Sequence, residues 1–302
     1  MTGVENFVVV LAYLLIGVGI RRLPQFPEQT AAVLNLFVIY VSLPALVLRT
    51  VPGLAPSREL LTPALMPWAM LALTAAAVLA IARLRRWSRE TTGSLLLLAP
   101  LGNTSFLGIP MVKSFLGEAA VPYAVIYDQL GTFLGLATWG SVVLALYGRD
   151  AERPTVATVA RKVATFPPFL ALLLAFALRP VGFHPIVAHL LETLSGTLVP
   201  IVMIAVGCQL RLRVGRDVLG PLVAGLGLKL VAAPLAALGI CRALGIDGPA
   251  ASVSVLEAGM PPMISAGALA LLAGLAPELS AALVGAGILL SFATLPVLAL
   301  LL

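Results

Sequence analysis

PLGNTSFLGIP, residues 100–110, lies inside an apolar run extending from about residue 91 to residue 115. Two prolines, two glycines (Gly102, Gly108) and the polar trio Asn103, Thr104 and Ser105 fall together where a membrane-crossing helix would be at mid-depth. Proline lacks a backbone donor and clashes with the preceding turn. It also drives the residue before it, Ala99 or Ile109, out of helical geometry. Glycine lets the chain cross sterically awkward regions. Backbone that leaves the helix inside lipid must find partners in protein or in a water-filled cavity. The stretch therefore predicts a broken helix lining a cavity. A second apolar run is interrupted in a similar way at Glu257-Ala258-Gly259-Met260-Pro261-Pro262. Paired broken helices in two halves of a membrane protein point to a transporter's substrate site.

The surrounding composition fixes the class. The chain has 302 residues, 60% of them hydrophobic and 11% charged, against about 25% charged in a soluble domain. A water-soluble fold of this size could not hide that much apolar surface, so the chain is read as an all-α polytopic membrane protein. The net charge of +6 does not imply nucleic acid, because the basic residues sit in short loops between apolar runs. Cys208 and Cys241 fall in or beside such runs and read as small buried side chains. Glu5 stands where a signal peptide would be basic, so residues 4–20 read as a first span.

A spanning helix needs about 20 mainly apolar residues. That ruler predicts ten spans, at roughly 4–20, 31–51, 64–82, 91–115, 121–147, 164–180, 186–210, 217–242, 249–273 and 278–302. The loops after spans 1, 3, 5 and 7 hold 13 basic residues: Arg21, Arg22, Arg83, Arg85, Arg86, Arg89, Arg149, Arg153, Arg161, Lys162, Arg211, Arg213 and Arg216. The opposite side holds five, Arg49, Arg58, Lys113, Arg179 and Arg242. By the positive-inside rule both termini are non-cytoplasmic. Trp68, Trp87 and Trp139 are expected as interfacial anchors near span ends.

The polar connection 148–162 divides the chain into five spans on each side, giving repeats at 1–147 and 164–302 joined by a cytoplasmic linker, 148–163. Phe26-Pro27 and His184-Pro185 are offset by 158, as are the breaks beginning near Pro100 and Ala258; Gly117 and Gly274 are offset by 157, as are Asn35 and Glu192. An odd number of spans per half makes related halves inverted in the membrane, with substrate expected at their interface near mid-bilayer.

The second half-helix of each break would present free N–H groups and a partial positive charge at its N-terminal end, which favours an anion such as a carboxylate. Asn103, Thr104 and Ser105 begin one half-helix; Met263 and Ser265 begin the other. Asp128, His189, Glu192, Lys229 and Glu257 are ionisable residues within predicted spans. Placing a charge at a helix centre costs about 2.5–3.5 kcal/mol on insertion scales, which marks them as functional candidates. Glu257 abuts the second break and would either bind a coupling cation or proton or hydrogen-bond loose backbone. Asp128 is open to a cation-coupled or a structural role. Pairing with an acid is the leading expectation for Lys229, with neutralisation of an anionic substrate as the alternative. His189 and Glu192 read as lying near the interface. Gly131 and Gly135 form a small-xxx-small pair that favours close helix packing. The chain has no His-Glu-x-x-His zinc motif and no phosphate-binding Gly-x-x-x-x-Gly-Lys loop. That argues against a metalloenzyme and against ATP-driven transport by this chain alone.

These residues resemble the auxin efflux carrier family. The resemblance rests on Gly102-Asn-Thr-Ser-Phe-Leu-Gly-Ile-Pro110, Phe115-Leu-Gly117 and Tyr127-Asp128-Gln129-Leu-Gly131 in the first half. In the second half it rests on Met203-Ile-Ala-Val-Gly207 with Leu210, on Lys229 and Pro234, and on Ala258-Gly-Met-Pro-Pro262. It covers essentially the whole chain. It implies ten helices in two inverted five-helix repeats with crossed broken helices 4 and 9. A scaffold of spans 1, 2, 6 and 7, which also carries the candidate homodimer face, would stand beside a transport domain of spans 3–5 and 8–10. It implies export or exchange of small organic anions, either auxin-like acids or dicarboxylates such as malate and malonate. Asn103 and Met260-Pro261-Pro262 match the positions where the family places substrate. Ser105 departs from a frequent glycine. The short 148–162 connection resembles compact bacterial members rather than plant carriers with a long central loop.

The expectation is thus a non-enzymatic secondary carrier of the cell (inner) membrane, working by alternating access without a cofactor. Its substrate site comprises Asn103, Thr104, Ser105, Met260, Pro261, Pro262, Met263 and Ser265. Glu257, Asp128 and Lys229 are the candidates for proton or sodium coupling. The alternatives are a cation/proton antiporter or a sodium-coupled bile-acid-type symporter on the same scaffold, and, in another class, a membrane-embedded sensor or enzyme.

Overall fold

A computed structural model describes residues 3–54, 57–149, 155–179, 181–210 and 215–302. Among them there is no strand, and the helical segments are α1 (Gly3–Ile20), α2 (Thr30–Gly53), α3 (Arg58–Arg85), α4 (Arg89–Leu98), α5 (Thr104–Leu116), α6 (Glu118–Tyr147), α7 (Val156–Ala164), α8 (Pro167–Leu178), α9 (Pro185–Gln209), α10 (Leu219–Ala243), α11 (Pro249–Ala258), α12 (Ile264–Leu272) and α13 (Pro277–Ala299). Six of them, α2, α3, α6, α9, α10 and α13, are long and apolar enough to cross a membrane; the apolar segments Phe7–Ile20, Thr104–Leu116 and Pro167–Leu178 are shorter.

Local chemistry sets the ends. The Ser88 hydroxyl accepts from the Thr91 N–H at 3.1 Å and caps α4, and Thr155 does the same for Thr158 at the start of α7. Pro167, Pro185, Pro249 and Pro277 open α8, α9, α11 and α13, at the one helical position where a missing N–H costs nothing. Gly117 and Gly274, at φ +86° and +70°, end α5 and follow α12; this left-handed region is open to glycine without strain.

Several helices contain a wider, π-helical turn, at Val38–Ser42, Thr104–Gly108, Tyr127–Phe133, Leu136–Gly140 and Leu228–Ala232. Three of these end two residues before a proline: Pro44, Pro110 and Pro234. Widening the turn relieves the clash between the proline ring and the carbonyl four residues back.

The helices pack in two groups. In the first, α1 lies along the second half of α9, and α2 packs on α8 and α9. Gly17 and Gly207 permit the α1–α9 approach: a side chain on either would strike the other helix's backbone at Ile204 or Leu14. In the second group, α3 packs on α6, with Gly131 against the Pro67 ring, α11 packs on α3 and α10, and α4 on α6 and α13. The groups meet where α1 runs along α5.

Trp68 and Trp139 donate to the carbonyls of Leu130 (3.0 Å) and Leu96 (2.8 Å), tying α3 and α4 to α6. The connection 148–162 is not all loop, because α7 occupies most of its second half. Arg153, Arg211 and Arg213 lie outside the described residues.

Candidate functional site

The two helix breaks meet. Residues 99–103 separate α4 from α5, and residues 259–263 separate α11 from α12. Gly102 and Pro262 pair as a short antiparallel bridge. The Asn103 N–H donates to the Pro261 carbonyl at 2.8 Å, and the Met263 N–H donates to the Leu101 carbonyl at 3.0 Å. Each break thus satisfies backbone groups of the other, which is what unwound chain in a low-dielectric interior requires. Gly102 lets Lys229 lie close, since an added Cβ would sit 3.0 Å from its ammonium.

The half-helices α5 and α12 start at this crossing, and the first-turn N–H groups of a helix have no partner within it. Asn103 is 2% exposed and its Nδ2 has no hydrogen-bond partner. Thr104, Met260, Pro261 and Pro262 are buried, while Ser105, Met263 and Ser265 are half-buried. The structure therefore brings all eight predicted substrate-site residues to one crossing.

The ionisable candidates separate into two sets. Asp128, Lys229 and Glu257 surround the crossing and are 0%, 2% and 0% exposed. Asp128 accepts hydrogen bonds from Thr104, from Ser105 at 2.6 Å and from Gln129 Nε2 at 2.6 Å. Three donors satisfy a carboxylate well. Lys229 donates to the Ala258 carbonyl at 3.0 Å, capping the C-terminal end of α11, where a cation is favoured by the helix dipole. The expected pairing of Lys229 with an acid is thus replaced, in this arrangement, by a bond to backbone. Glu257 lies against Gly108, and neither of its oxygens has a hydrogen-bond partner. His189 and Glu192 lie elsewhere, on an exposed stretch of α9, where Glu192 stands 3.7 Å from Arg49.

The π-helical turns build this geometry. Thr104 and Ser105, Asp128, and Lys229 each lie on one, and such turns recur at functional sites. A small cavity beside them is lined by Pro67, Gly102, Thr104, Tyr127, Thr132 and Lys229. Gln129 and Gly108 carry no individual signal in the sequence. Neighbours such as Asp128 and Gln129 diverge on an α-helix; here, within the wider turn, their side chains meet.

A second, larger cavity separates the two helix groups. It is lined by Glu28, Ala31, Cys208 and Gln209 on one wall and by residues of α12 and α13, including Ile264, Ser280 and Val284, on the other. At the opposite end the groups are bridged by charge: Arg49 of α2 meets Glu118, at the start of α6, at 3.0 Å, and Lys113 of α5 meets the same carboxylate at 2.7 Å.

A family model described as membrane transport protein matches residues 3–299. A protein of Methanothermobacter thermautotrophicus named as an uncharacterized transporter is 30% identical over 302 residues, covering 98% of this chain and 97% of its own. One of Methanocaldococcus jannaschii, named likewise, is 25% identical over 271 residues, 86% of each chain.

Proposed function

The chain belongs to the membrane transport protein family, the grouping that its resemblance to auxin efflux carriers implied, and from that premise we propose that it is a secondary carrier of a small organic anion. It is a membrane transporter, and transport by this family implies a small-molecule substrate. The anionic cargo and the mechanism are the proposal. The observation that carries it is the crossing itself: two breaks joined by Asn103 N–H to Pro261 O and Met263 N–H to Leu101 O, with the N-terminal ends of α5 and α12 beside it.

A carboxylate at this crossing would meet first-turn N–H groups, the unpartnered Asn103 Nδ2 and the Lys229 ammonium. Fixed donors of this kind replace hydration without reorganising. In the proposal α4–α5 and α11–α12 each count as one broken span, so the chain crosses the bilayer ten times, as two inverted repeats with non-cytoplasmic termini. The group built from α1, α2, α8 and α9 is the scaffold and the candidate dimer face, and the remaining spans move past it. The cavity between α9 and α13, on the side of the basic loops, suits cargo entry from that side, while the other end is bridged by the Arg49–Glu118 pair. Malate and malonate are the first cargoes to try, and auxin-like acids the second.

Asn103→Ala should cut labelled malate or malonate uptake into proteoliposomes at least tenfold, with membrane abundance and elution unchanged. Loss of a hydrogen bond to a charged group costs about 1.5–3 kcal/mol, which corresponds to that range. Uptake at the wild-type rate would remove the crossing from the substrate path.

A further inference from the structure

Among the described residues, Glu257 is a buried acid whose carboxyl has both oxygens unpartnered. It lies against a bare glycine. An ionised carboxylate without donors is among the costliest things a protein interior can hold. The neutral acid at least removes the charge. Asp128 is equally buried but receives three donors. Two acids beside one crossing thus have opposite surroundings, and such pairs divide their roles accordingly.

Lys229 links the crossing to the end of α11. Its ammonium borders Gly102, where cargo is proposed to sit, and reaches the last turn of α11 beside Glu257. It currently bonds to the Ala258 carbonyl, one residue along from Glu257, and not to the carboxylate.

We propose that the ion coupled to anion movement is a proton held by Glu257, and that Lys229 links it to the cargo by neutralising either the Glu257 carboxylate or the bound anion, but not both. This rests on the carrier function proposed above. Glu257 first takes a proton from water on the side to which the site is open, which frees Lys229 for the anion. When the anion leaves, Glu257 returns that proton to water and its carboxylate takes over Lys229. Each anion engaging Lys229 therefore travels with one proton, in the same direction. The arrangement in this structure, with Glu257 unpartnered and Lys229 turned to Ala258, is the proton-loaded, cargo-ready one.

Sodium is a poorer fit. A hard cation seeks several converging oxygen ligands, and at the crossing the Leu101 and Pro261 carbonyls already accept from Met263 and Asn103, the Ala258 carbonyl from Lys229, and Asp128 from three donors. The groups facing Glu257 at its depth are Tyr127 and Asp128 of α6 and Lys229 of α10. The other helices packed on α11, namely α3, α5 and α13, carry their ionisable residues only near their ends.

The test uses the full chain in two formats. Infrared spectra of the purified protein should show a protonated-carboxyl stretching band that Glu257→Gln removes and Asp128→Asn leaves. In proteoliposomes, a proton gradient should drive wild-type accumulation of labelled malate or malonate, whereas a sodium gradient should not. Glu257→Gln, whatever rate it keeps, should no longer respond to the proton gradient. Glutamine matches the neutral acid in shape, so a wild-type elution profile is expected. A band that survives Glu257→Gln, a band assigned instead to Asp128, or a sodium-driven wild type would overturn the proposal. If wild-type liposomes exchange no organic acid, the carrier function fails and the coupling with it, while the infrared band still reports on Glu257 independently.

Discussion

At Gly108 the absence of one methyl group decides whether Glu257 has a place to lie. A Cβ built there would fall 2.6 Å from one carboxyl oxygen and closer still to the other. Gly108→Ala should therefore destabilise the protein by about 1–3 kcal/mol, the usual cost of overpacking a filled site. Most of that cost should vanish in a Glu257→Ala background, because the two changes share one contact and neighbouring changes do not add. Thermal unfolding of the four proteins in detergent checks this, and equal costs in both backgrounds would mean that the clash is not with Glu257. The pair also shows what single residues disclose. Asn103, Asp128, Lys229 and Glu257 were legible because a polar side chain inside an apolar run is costly wherever it points. Gly108 was legible only as part of a break, since nothing in sequence shows which side chain crosses from another helix to rest on it. The partner of Lys229 was misjudged for the same reason: the loose carbonyl of Ala258 is a backbone group that any residue would carry.

Among elements, the broken helices were the most legible feature and the wide turns the least. Proline and glycine announce a break by what they forbid, so both interruptions could be located before any coordinates. A π-helical turn changes the direction of side chains without a distinctive composition; the turns at Tyr127–Phe133 and Leu136–Gly140 precede no proline, and nothing local marks them. Close packing falls between these extremes. Gly131 against Pro67 was foreshadowed by its spacing from Gly135, but the contact of α1 with α9 was not, because Gly17 and Gly207 are 190 positions apart. That contact yields a prediction. The atoms a new side chain would strike at Gly17 and Gly207 are backbone, which cannot turn aside. Gly17→Ala should thus lower the unfolding temperature in detergent by several degrees, at roughly 2–4 °C per kcal/mol. Gly19, two positions along on the same helix, has nothing within 4 Å of an added Cβ. Gly19→Ala should be neutral or slightly stabilising, as alanine is the better helix former. Equal losses at both positions would contradict the packing of α1 on α9.

At the scale of the whole molecule, the division of helices into two groups with charge at one end and a cavity at the other makes the arrangement testable through a native thiol. Cys208, half-buried, lines the cavity between the groups, whereas Cys241 is 2% exposed. Maleimide reagents should therefore modify Cys208 and spare Cys241. At the far end, Glu118 is shared by Arg49 of the first group and Lys113 of the second. Their side chains are 33–43% exposed, so solvent and salt weaken these pairs, and an exposed pair is worth only about 0.2–1 kcal/mol. That is too little to hold the fold together. It is enough to bias two arrangements of similar energy, since about 1 kcal/mol is a fivefold shift in population. Arg49→Gln should loosen the charged end, lower the population with the cavity open, and slow Cys208 labelling by up to about fivefold without lowering the unfolding temperature appreciably. Raising the salt to about 1 M, where screening acts over roughly 3 Å, should slow wild-type labelling in the same direction and leave Arg49→Gln nearly unaffected. A labelling rate indifferent to both would mean that the ion pairs only decorate the surface and that the two helix groups do not move against each other at this seam.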